Sequence, residues 1–194
     1  MQPAAAISAT KPRQQRADAR RNREAVLESA RKVFAEHGLD AQIDEIAAGA
    51  GVGVGTVYRH FPTKDELLEA LAQLRFEALA ARAREALEAR DGWQGFVEFM
   101  TYSARVMAED RLLSEAMDQR SAICGEASRS VGLLDLTAQL IERAKADGKL
   151  RADTEPCDVP GLICGIGRAV RSAPGAPAMT WERHLEIILA GLRA

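Results

Sequence analysis

The sequence is as informative in what it lacks as in what it contains. It has no run of about eighteen apolar residues, so nothing in it reads as a membrane-spanning helix. Its first ten residues lack the charged start and apolar core of a signal peptide, which fits a cytoplasmic protein. The three cysteines, Cys124, Cys157 and Cys164, form no Cys-x-x-Cys pair and are odd in number, so no disulfide framework is expected. They read as small hydrophobes of a reducing compartment, with a thiol redox sensor as the alternative. The three histidines, His37, His60 and His184, are scattered, and neither a metal site nor a bound cofactor is expected. No segment alternates apolar and polar residues between turn signals, which argues against strands. No nucleophile with its base and no phosphate-cradling loop stands out, which argues against an enzyme. Aromatic residues make up only 5% of the chain, and the net charge is only −2. Taken whole, that charge speaks against a nucleic-acid partner.

What is present changes that last inference. The 194 residues are 47% hydrophobic and 28% charged, and Ala, Leu, Arg and Glu dominate, a composition that favours helices. The length allows one or two domains with a real core. Charge is unevenly spread. Residues 1–64 hold ten basic against seven acidic side chains, a net of +3, and residues 65–194 hold sixteen against twenty-one, a net of −5. One end of the chain is therefore suited to a polyanion.

That end contains the most organised stretch, Ile43 to Lys64. Ile43, Ile46, Ala47 and Ala50 fall on one face of a helix, and Gly51 suits a left-handed end. Val52 plugs a turn, and Val57 with Phe61 marks the inner face of a second helix. The spacing predicts a helix-turn-helix whose second helix enters a DNA major groove. The candidate DNA-contacting residues are Gly53, Val54, Gly55, Thr56, Tyr58, Arg59, His60 and Lys64. Thr56 and Tyr58 offer hydroxyls, Arg59 a forked donor, and the glycines a backbone that a phosphate strand can approach. Residues 1–17 read as a disordered basic arm carrying Lys11, Arg13 and Arg16, and Asp18 as the cap of the first helix. Arg20, Arg21 and Arg23, set against that helix's dipole, suggest phosphate nearby. Thr63 to Glu66 reads as a capping box that opens a long helix reaching about Ala89.

From about Arg20 to Leu71 the chain resembles the DNA-binding domain of the TetR family of bacterial transcription regulators. The matching residues include Ala30, Phe34, Gly38, Ile46, Ala47, Ala50, Gly51, Val52, Gly55, Thr56, Tyr58, Phe61, Lys64 and Leu67. The sequence departs from the family's usual pattern at Gly53 and Val54, and at Ala41 and Gln42, which leaves Asp40 as the expected cap of its helix. The resemblance implies an all-α fold of about nine helices: a helix-turn-helix domain over 18–64, and a ligand-binding and dimerisation domain over 65–194. It implies a repressor that binds a palindromic double-stranded operator as a homodimer and responds to a small organic ligand. The alternative is a regulator without such a ligand, controlled by a protein partner or by cysteine oxidation. Beyond Leu71 helices are expected from Trp93 to Glu109, Arg111 to Ile123, Glu126 to Ala146 and Asp153 or Thr154 to Arg171. A Pro and Gly loop over 172–178 precedes a last helix capped by Thr180. Trp93, Phe96, Met100, Tyr102 and Met117 are the candidate pocket residues. Leu162, Ile166, Leu185, Ile188 and Leu189 are the candidate dimer face.

Overall fold

The structure is a computed structural model describing the backbone of residues 11–172 and 180–194, and side chains from Gln14 onward. In chain order the elements are α1 (Lys11–His37), a single 3-10 turn (Gly38–Asp40), α2 (Ile43–Ala50), α3 (Val54–His60) and α4 (Lys64–Leu87). There follow α5 (Gly92–Glu109), α6 (Arg111–Gln119), α7 (Ser121–Ser130), α8 (Leu133–Ala146), α9 (Asp158–Ser172) and α10 (Trp181–Leu192). The one extended pairing among the described residues is an isolated antiparallel bridge between Leu150 and Arg193. The chain divides into two compact units, Met1–Leu67 and Leu68–Ala194.

In the first unit Val26, Ala30 and Phe34 of α1 close over Ile46 and Ala47 of α2 and Val57 of α3, all buried. The Ser29 hydroxyl donates to the Ile46 carbonyl at 2.8 Å and fixes α2 against α1. Gly51 takes φ 66°, which an L side chain resists, and the Val52 amide returns to the Ala47 carbonyl at 3.1 Å. Two expectations need correction. The first helix begins at Lys11, so the expected arm over 1–17 is helical from there; its first ten residues lie outside the described residues. Gln14 to Ala17 are good helix formers, and Asp18 pairs with Arg21 one turn on instead of capping. The cap of α2 is Gln42 rather than Asp40: the Gln42 amide donates to the Glu45 carboxylate at 3.2 Å in a reciprocal capping box. Half of the box expected at Thr63 forms: the Glu66 amide donates to the Thr63 hydroxyl at 3.1 Å, and that hydroxyl, not the Thr63 amide, reaches the Glu66 carboxylate at 3.3 Å.

In the second unit α5 is the axis, packed against α6, α8, α9 and α10. Its Phe96, Met100 and Ala104 are fully buried with Leu140, Ile141 and Ile166. The two helices expected between Arg111 and Ala146 are three, giving ten α-helices among the described residues. Gly125 is accommodated inside α7, and the breaks fall at Arg120 and at Gly132, whose φ of 67° cannot continue a helix. α9 starts at Asp158, later than expected, and the loop over 172–178 lies outside the described residues beyond Ser172. Thr180 caps α10, accepting the Arg183 amide at 3.3 Å.

The corner between α4 and α5 is clamped by α8. The Arg143 guanidinium donates to the Leu87 carbonyl and, at 2.6 Å, to the Ala89 carbonyl. The Asp147 carboxylate accepts the Gly92 amide at 2.6 Å and the Trp93 amide at 3.2 Å. Gly92 permits this approach, because a Cβ there would lie 2.6 Å from the Arg143 carbonyl carbon. Further along α4, Arg75 pairs with Asp110 at 2.6 Å, at the junction of α5 and α6.

Candidate nucleic-acid interface and apolar cavity

Seven residues make α3, and its inside and outside are sharply different. Val57 is fully buried, and Phe61 just beyond the helix is nearly so. Gly55, Tyr58 and Arg59 are exposed, Tyr58 by 47%, while Val54, Thr56 and His60 are half-buried. Among the described residues, the side chains of Thr56, Tyr58 and Arg59 make no intramolecular hydrogen bond or ion pair. Gly53 occupies the N-cap without a side-chain cap bond, and a Cβ at Gly53 or Gly55 would meet open space. The result is a helix start open to an approaching phosphate, followed by two hydroxyls and a guanidinium.

Lys64 is engaged within its own unit. Its ammonium donates to the Leu39 carbonyl at 2.5 Å and the Ala41 carbonyl at 2.8 Å, and lies 5.7 Å from the centre of the Phe34 ring. It closes the end of the 3-10 turn, whose carbonyls have no helical partners. The arginines near the start of α1 are also committed within the unit. Arg20 pairs with Glu24 at 3.6 Å, Arg21 pairs with Asp18, and Arg23 lies over the Phe61 ring at 5.1 Å.

The second unit contains a cavity of about 220 Å³ among α4, α5, α6, α7, α8 and α9. Phe76 and Leu79 of α4, Phe99, Ser103, Val106 and Met107 of α5, and Leu113 and Met117 of α6 form one side. Cys124 of α7, Thr137 of α8, and Ile163 and Cys164 of α9 are part of the rest. Of the five expected pocket residues, Met117 alone is on this wall. Trp93, Phe96 and Met100 are core, with the Trp93 and Phe96 rings tilted at 34° and 6.0 Å apart, and Trp93 covered by Arg193. Tyr102 is half-buried between the guanidiniums of Arg82 and Arg105, 5.4 and 5.6 Å from its ring. The cavity side of α5, Phe99 and Ser103, lies three residues from the expected Phe96 and Met100. Three residues in an α-helix turn the face by about 60°. Both faces are apolar, so residue type could not separate them.

No charged residue among the described residues lines the cavity. Burial pushes the Cys124 thiol up to about 11, with neighbouring Cys164 a second cause. Burial also raises Cys164, helped by the Asp118 carboxylate and opposed by Arg171. Both therefore stay as protonated thiols at neutral pH, the less reactive form.

On α9 and α10 the expected dimer face is divided. Ile166 and Leu185 point into their own core, 1% and 5% exposed, because they share a face with Ile163 and Leu192. Leu162, Ile188 and Leu189 are half-buried, and α10 also carries Ile187, 57% exposed, which periodicity alone did not single out.

Comparison with known proteins gives a consistent result. Residues 26–71 match the family profile of bacterial regulatory proteins of the tetR family, and residues 91–194 match that of the SbtR-like transcriptional regulator C-terminal domain. The HTH-type transcriptional repressor Rv1474c of Mycobacterium tuberculosis is 31% identical over 180 residues, covering 88% of this chain and 92% of that protein. The HTH-type transcriptional repressor KstR of Rhodococcus jostii is 30% identical over 137 residues, covering 70% of this chain and 62% of that protein, so the match spans less than two thirds of that relative. The crystal structure of a TetR transcription regulatory protein from Mycobacterium vanbaalenii aligns with TM-score 0.63 at 34% identity, over 93% of this chain and 99% of that one.

Proposed function

The chain belongs to the TetR family of bacterial transcription regulators, and from that premise we propose that it is a homodimeric repressor of a palindromic operator, released by a small organic ligand. Proteins of this family are regulators and not enzymes, and no described helix is long and apolar enough to cross a membrane. The reading places the protein in the cytoplasm with its DNA. The observation that carries it is the outer face of α3, where the side chains of Thr56, Tyr58 and Arg59 flank buried Val57 and make no hydrogen bond or ion pair among the described residues. Two copies of that face, about 34 Å apart, would engage successive major grooves of a two-fold site. The half-buried Leu162, Ile188 and Leu189, together with Ile187, are the surface proposed for pairing.

Ligand control needs a site at which one conformation binds better than another. The cavity is that site, since α4 supplies two of its wall residues and also begins at the end of the DNA-reading motif. By reciprocity, a ligand that weakens operator binding must itself bind less well to the operator complex, by the same factor. The protonated thiols of Cys124 and Cys164 work against oxidation at those two positions, while Cys157 is free and exposed. The test is to map genomic fragments that the purified protein retains, then to footprint the best of them. A single protected palindrome, competed only weakly by random DNA, is the expected result. Binding that follows salt concentration alone, whatever the fragment, would refute a sequence-specific operator.

A further inference from the structure

We propose that the cavity takes a neutral, compact organic molecule of about nine non-hydrogen atoms with one polar atom, and that Ser103 meets that atom. The inference rests on the reading of the cavity as the effector site and specifies what that site accepts.

Size comes from the volume. A cavity of about 150 Å³ lined by aliphatic and aromatic residues holds benzene, with six non-hydrogen atoms. The cavity here is about 220 Å³, which by the same ratio holds about nine. Charge comes from the wall. It carries no Asp, Glu, Lys, Arg or His, so a carboxylate or ammonium would be stripped of water without a partner. The thiol of Cys124, held protonated by burial, reports the same aversion to charge.

The polar atom comes from Ser103. This serine is 5% exposed, lies on the cavity wall, and its hydroxyl is buried without a hydrogen-bond partner among the described residues. Native proteins rarely leave a buried hydroxyl unpaired, and an atom on a ligand is a natural partner for this one. The other wall hydroxyls are provided for. Thr137 donates to the Leu133 carbonyl at 2.8 Å, Ser121 is exposed to water, and Ser128 is half-buried. Exposed Ser121, Leu134 and Pro160 also belong to the wall, so a ligand has a way in from solvent.

Calorimetry on the full chain tests this with three probes: para-ethylphenol, para-ethyltoluene, which has the same skeleton without the polar atom, and the anion para-toluate. The phenol should bind about tenfold more tightly than the hydrocarbon, and the anion should not bind measurably. In Ser103→Ala, which removes an unpartnered atom and should fold normally, the phenol should fall to the level of the hydrocarbon while the hydrocarbon holds. Thr137→Val should leave the phenol's advantage intact. The inference is overturned if the advantage survives Ser103→Ala, disappears in Thr137→Val, or is absent from the wild type, or if para-toluate binds as well as the phenol. Operator binding is read separately. A phenol that binds through Ser103 but leaves operator affinity unchanged would sink ligand control and leave this inference standing. Release of the operator by compounds indifferent to Ser103 would do the reverse.

Discussion

On the proposed function, α3 and α5 put their binding faces on opposite sides of a helix. α3 has one buried residue, Val57, and turns polar groups to solution. α5 has nine buried residues among its eighteen, and its cavity face runs beside its core face with the same kind of side chain on both. A helix that meets its partner in water can use residue types its core would reject. A helix that meets its partner inside the protein draws on the same types as its core. Substitution should therefore separate function from folding on α3 and entangle them on α5.

The comparison is sharpened most by Phe96 and Phe99. Phe96→Ala should lower unfolding stability by about 3–5 kcal/mol, because it opens a hole in close-packed core. Phe99→Ala, whose ring already borders empty space, should lose measurably less in the same denaturant titration. Equal losses would mean that the two faces are not distinct. Alkaline pH examines the cavity side again. The folded state holds Cys124 near 11 against an ordinary 9.0, so above pH 9 the unfolded chain releases a proton that the folded chain keeps. Stability should then fall between pH 9 and about 11, by on the order of 2–3 kcal/mol, and be unaffected by this group below pH 9. Cys124→Ala should flatten that stretch of the stability profile. On α3, Arg59→Ala should weaken operator binding by about 1–3 kcal/mol with no change in melting temperature. A melting shift would show that its exposed side chain supports the fold. The smallest effect is set by Lys64. Lys64→Met removes two hydrogen bonds to carbonyls and should lower stability by about 1–2 kcal/mol, while the salt dependence of DNA binding keeps its slope.

The same contrast governs what could be read from the amino-acid sequence. The helix-turn-helix was legible because Ile46, Ala47, Val57 and Phe61 are apolar where Thr56, Tyr58 and Arg59 are not. Gly51 was legible because a left-handed turn admits few other residues. The partners of Lys64 were not legible, since a lysine near a DNA-reading helix looks the same in sequence whether it meets a phosphate or the carbonyls of Leu39 and Ala41. The cavity face of α5 was missed because Phe96 and Phe99 differ only in what lies opposite them. Ser103 carried the one usable signal, a hydroxyl at a buried position in an apolar stripe, and its meaning depends on having no partner, which only coordinates reveal. The run from α6 to α8 breaks at Arg120 and Gly132 while Gly125 sits inside α7, and a glycine inside a helix and one at its end look alike in a string of letters.

The clamp that Arg143 and Asp147 place on the corner after α4 makes that helix a lever with its fulcrum at Leu87. α4 is 24 residues long, about 36 Å, and its cavity-lining residues Leu79 and Phe76 lie about 12 and 16 Å from the pivot. The start of the helix at Lys64 is about 35 Å away, so the arm ratio is between two and three. Under the proposed ligand control, a displacement of the wall by about 1 Å would swing the start of the helix by about 2–3 Å. The Arg75–Asp110 ion pair grips the same arm just beyond that point, and would be the spring against which such a swing works.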